Sequence, residues 1–126
     1  MSKNAKKPAL NSRRKLELSD GSTVPLTLNH ALLYQIRAER KDAYDKFNDF
    51  IISGVKDYFK LVDVLYVAYL CGYLEEHGDT DGAMSDIDFM LALPEDANVV
   101  AEEAQWLTAP KKMRDSVAPS ESGQNS

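Results

Sequence analysis

The chain has one cysteine, two histidines, one tryptophan and six glycines among 126 residues. A lone Cys71 excludes an intrachain disulfide framework and a cysteine-based zinc site, and it suits a reducing compartment. His30 and His77 are far apart, and neither has a second ligand at metal-binding spacing. There is no phosphate-cradling glycine loop, no nucleophile elbow and no paired-carboxylate motif. No Lys or Arg lies within ten residues of Cys71, so nothing local lowers its pKa for nucleophilic work. No enzymatic activity, cofactor or metal is expected. The longest apolar run, Val64 to Leu74, has 11 residues and contains Gly72, too short to span a bilayer. No apolar stretch follows the basic start of the chain, so no secretory signal is read there.

Residues 61–110 also lack any Lys or Arg, yet they hold eleven acids. The formal charge of −5 therefore hides a split. Residues 1–15 carry six basic groups and no acid, residues 16–60 six basic and seven acidic, and residues 111–126 three and two. An acidic body is a poor duplex-DNA binder, because phosphate neutralisation needs clustered Lys and Arg. Length and composition fit one globular unit with a modest core. The expected organisation is a flexible basic arm over 1–15, a single helical domain with an N-terminal β-hairpin over 16–110, and a disordered polar tail over 111–126.

Within the domain, residues 16–28 alternate apolar and polar around Asp20-Gly21, a hairpin pattern. Pro25 cannot donate to a ladder, which makes the second strand an edge or a short one. From residue 29 the period changes. Leu33, Ile36, Arg40, Ala43, Phe47 and Phe50 form an amphipathic stripe, with a kink or split expected near Arg40–Asp42. Thr27 or Asn29 can cap its start and Gly54 can close its end. Residues 56–76 are apolar nearly all round. In so small a chain such a helix is hard to cover, which favours a partner or self-association. Ser85 caps a short helix, Pro94 stops it and can open the next, and the last helix runs to about Leu107. The fold class is mainly α with a small N-terminal hairpin (α+β), a compact bundle of four to five helices.

Two features invite a functional reading. The loop from His77 to Asp88 aligns with an EF-hand at Asp79, Asp81 and Gly82. However, it has His77 at the first ligand position and Asp88 where a bidentate Glu belongs. A solvated turn with a helix cap is the better reading. The second feature is a set of large side chains at helical spacing, Phe59, Val62, Tyr66, Tyr69 and Tyr73, joined by Trp106. They are the candidate partner-binding surface, since tyrosine and tryptophan combine an apolar body with a polar tip.

Four stretches carry a resemblance: LELSDGSTVPLTLNHALLYQIRAERKDAYDKFN, GVKDYFKLVDVLYVAYLCGYLEE, MSDIDFMLALPED and WLTAPKK. In order and spacing over residues 16–112 the chain resembles the tail assembly chaperones of long-tailed (siphovirus-type) phages and prophages of Gram-positive bacteria. The resemblance implies a non-enzymatic protein that binds the tape measure protein and keeps it soluble. It also implies help in recruiting the major tail (tube) protein, action in the bacterial host's cytoplasm, and absence from the mature virion. It carries over no residue-level binding motif, and it says nothing of the basic arm. The competing readings are a small tail or connector protein retained in the virion, which mass spectrometry of particles would detect, and a small regulatory binding module.

Overall fold

The computed structural model describes residues 12–109. In chain order these form β1 (Ser12–Glu17), β2 (Thr23–Leu28), α1 (His30–Glu39), α2 (Lys41–Ser53), α3 (Tyr58–His77), α4 (Asp86–Ala92) and α5 (Ala97–Thr108). The expected class, a hairpin followed by a helical bundle, is what is found.

β1 and β2 pair antiparallel, with Arg14 opposite Leu26 and Leu16 opposite Val24. The turn explains why Asp20-Gly21 sits there. Gly21 N–H donates to the Leu18 carbonyl at 2.9 Å, Leu18 N–H donates to Ser22 at 2.7 Å, and Gly21 has φ of 90°. This is a three-residue loop whose last position favours glycine. The Asp20 carboxylate accepts from the Ser22 backbone and hydroxyl. Ser19 N–H reaches the Ala92 carbonyl, tying the turn to the end of α4.

The strand begins at Ser12, so the boundary of the basic arm moves. Ser12, Arg13, Arg14 and Lys15 belong to the hairpin, and only residues 1–11 of the expected arm, like the expected tail 111–126, lie outside the described residues. The reason is that arginine can lay its stem on the body while its head finds an acid. Ser12 Oγ donates to the Leu107 carbonyl at 3.1 Å. Arg14 bonds Glu103 at 3.1 Å and lies over the Trp106 ring at 4.3 Å. Arg13 forms a two-pronged pair with Glu75 at 2.5 and 2.6 Å. That pair also answers the acidic end of α3, which otherwise opposes the helix dipole. Two charges of the arm are thus matched by the acidic half of the same chain.

α3 is the axis. Twelve of its residues, from Leu61 to Leu74, are buried. The sequence favours a partner or self-association for such a helix; within the chain, the hairpin, α1, α2, α4 and α5 all pack against it. β2 comes closest. A Cβ on Gly72 would stand 2.7 Å from the Pro25 carbonyl oxygen and 3.1 Å from its carbon. A residue without a side chain is what lets the strand backbone lie on the helix. Neighbouring Cys71 is fully buried, and burial pushes its thiol up to about 12, which fits an inert core residue.

Helix starts follow local chemistry. Asn29, Asp57, Ser85 and Asp96 each accept a backbone N–H from the first turn of their helix. Asp96 therefore begins α5, and Pro94 lies in the linker instead of opening the helix. Gly54 and Gly78, with φ of 81° and 86°, close α2 and α3.

Among the described residues, Glu103 is the one with a fully buried side-chain oxygen lacking a partner, Oε1. Burial raises its pKa, with Arg14 opposing. A carboxyl with a raised folded pKa binds protons in the folded state before the unfolded one, so its contribution to stability grows as pH falls towards the unfolded value. On moving from pH 7 to pH 5 we expect the wild type to gain stability relative to Glu103→Gln, read from urea midpoints at the two pH values. A pH-independent difference would contradict this.

Candidate interaction groove

The six residues expected to form one partner surface are not arranged as one. Val62, Tyr66 and Tyr69 are buried at 4, 7 and 4% exposure, whereas Phe59 is 59% exposed. Tyr73 is half-buried, and Trp106 sits at the β1 side of α5 against Arg14. The tyrosines turn inward because their polar ends are met inside. Tyr66 hydroxyl donates to the Met84 carbonyl, and Tyr69 hydroxyl accepts from Met84 N–H, both at 2.8 Å. Their rings pack on each other and on Phe89, with centroids 5.1–6.1 Å apart. Tyr73 hydroxyl abuts Gly82, where there is no room for a Cβ.

The EF-hand-like loop is thus the seat of three tyrosine tips. Arg40 fixes it from the other side: Nε donates to Thr80 Oγ1 at 3.2 Å, one terminal nitrogen to the Thr80 carbonyl at 2.5 Å, and the other to Tyr66 hydroxyl at 3.3 Å. Thr80 hydroxyl in turn donates to Glu39. Asp79 accepts from Asp81 N–H, and Ser85 caps α4, so the loop's oxygens serve turns. Among the described residues no three His, Cys, Asp or Glu side chains gather to hold a metal.

Three of the six do share a place. Phe59, Val62 and Tyr66 line a groove of about 790 Å³ between the α1–α2 junction, the first half of α3, and α4. Ala43 and Met90 extend its apolar floor, and its rim carries charges of both signs, among them Arg40, Lys46, Lys60, Asp57, Asp63 and Asp86. Most of the rim is already paired. Lys60 bridges Asp49 at 2.7 Å and Asp63 at 3.9 Å, and Lys46 approaches Asp86 at 3.8 Å. Burial raises the Asp63 carboxyl, with Lys60 opposing. Shortly before Phe59 in sequence the chain also exposes Ile52, Val55 and Tyr58. Periodicity alone misses Ile52 and Val55, because they fall at the end of α2 and in the linker; a run of apolar residues across the Gly54 stop is the available signal.

The arrangement offers shape, apolar surface and a polar rim, the ingredients of a protein-docking site. Comparison of the chain with protein-family models, with curated proteins and with solved structures finds no match. Among the described residues no helix is long and apolar enough to cross a membrane.

Proposed function

We propose that the chain is a tail assembly chaperone that binds a tape measure protein, keeps it soluble and helps bring tube subunits to it. It acts by binding, without catalysis, in the cytoplasm of the host, and is left out of the finished particle. The resemblance of residues 16–112 to that family supplies the client. The observation that supports it in the fold is the groove lined by Phe59, Val62 and Tyr66, with Phe59 largely exposed. An elongated helical client presents apolar stripes at helical spacing, and a groove with an apolar floor and polar rim is how helices are taken up by other proteins. Exposed apolar patches of this kind mark interaction sites. The acidic half contributes like charge, so that coated complexes repel one another. Co-expression of the full chain with a tape measure protein tests the reading. The soluble share of the client should rise several-fold; an unchanged share would reject it.

A further inference from the structure

The segment from His30 to Ser53 contains no Gly and no Pro, yet it is broken at one residue, Arg40, with φ of −135° and ψ of 66°. That conformation lies between the helical and extended regions. α2 is also the one helix among those described whose start has no side-chain cap, while the other four are capped. Its first-turn N–H groups would bond carbonyls of α1 if the helix ran through. The apolar stripe from Leu33 and Ile36 to Phe47 and Phe50 also keeps helical phase across the break. The bend is held instead from outside, by the bonds of Arg40 to Thr80 and Tyr66 and of Thr80 to Glu39.

We propose that Arg40 is the hinge of an exchange in which two copies of this chain swap residues 12–39 while α1 and α2 join into one continuous helix. Straightening within a single copy would lift the hairpin and α1 off α3 and expose Leu16, Leu26, Leu28, Leu33 and Ile36, all buried. A second copy supplies an identical α3 for them, so every interface is remade and only the hinge differs. A one-residue hinge without a cap is the kind of connection that favours such a swap.

Size-exclusion chromatography with light scattering tests this on the full chain, refolded at low and high concentration with reductant present. The wild type should yield a dimer fraction that grows with refolding concentration and persists on dilution. Arg40→Ala loosens the bend and should raise the dimer association constant by about tenfold. Lys41→Pro is compatible with the first position of α2 but not with the interior of a through-going helix, and it disfavours a helical Arg40. It should lower dimerisation at least about a hundredfold. A wild type that stays monomeric throughout would overturn the exchange. So would a Lys41→Pro chain that dimerises as the wild type does, which would indicate an ordinary surface contact. If Arg40→Ala fails to fold, the Lys41→Pro comparison decides alone.

Discussion

Replacing Phe89 with alanine should destabilise the chain by about 3–5 kcal/mol, the range for truncating a fully buried phenylalanine. Phe89 is 0% exposed. It packs against both Tyr66 and Tyr69, with its ring stacked on Tyr69 at 5.1 Å, and so joins α4 to the axis of the fold. The vacated space cannot be filled cheaply, because the two tyrosine hydroxyls are held by the Met84 backbone. A domain of this size has only about 5–15 kcal/mol in hand, so the midpoint of urea unfolding should fall steeply. Phe59→Ala is the control. Phe59 is exposed, and its loss should change the unfolding free energy by less than about 0.5 kcal/mol. Equal midpoints for the two variants would mean that α4 is not packed as described.

Gly72→Ala sets two effects against each other. Alanine in a helix interior is favoured over glycine by about 0.8–1 kcal/mol, so propensity alone predicts a more stable chain. The added Cβ, however, would meet the Pro25 carbonyl oxygen at 2.7 Å, and that neighbour is backbone, not the end of a side chain that can swing away. Overpacking of this kind costs about 1–3 kcal/mol, and here it must displace β2 from the helix it covers. We expect net destabilisation of up to about 2 kcal/mol for alanine, and more for valine, whose branches reach further into Pro25. Chemical denaturation of the two variants measures both. An alanine variant more stable than the wild type would contradict this close approach of strand and helix.

Much of the fold was legible because its signals are local. Asp20-Gly21 needs a positive φ, Asn29 and Ser85 accept first-turn N–H groups, and the change of period at residue 29 marks the passage from hairpin to helix. The break near Arg40 could be placed but not explained, since its cause, Thr80, is forty positions away. The charge of the arm misled for a related reason. Arg13 and Arg14 look solvated in sequence, and their partners Glu75 and Glu103 come from α3 and α5. The candidate site was legible in part. Helical spacing groups Phe59, Val62, Tyr66, Tyr69 and Tyr73 on one stripe, but it cannot tell which part of the stripe the rest of the chain covers. The loop 80–84 covers the tyrosine end and leaves Phe59 open, so the partner-binding reading moves from the tyrosines to the groove at the start of α3.

The central claim is that this groove receives the client. Co-purification of a tape measure protein with the full chain tests it most directly, using wild type, Phe59→Asp and Tyr34→Asp. Tyr34 is also an exposed aromatic, at 68%, but it lies on α1 outside the groove. Phe59 lines the groove, and an acid in its place would lose its hydration when an apolar client covers it. Phe59→Asp should therefore lose at least about tenfold in recovered client while remaining folded, and Tyr34→Asp should match the wild type. Equal recovery with Phe59→Asp, or a loss confined to Tyr34→Asp, would contradict the account.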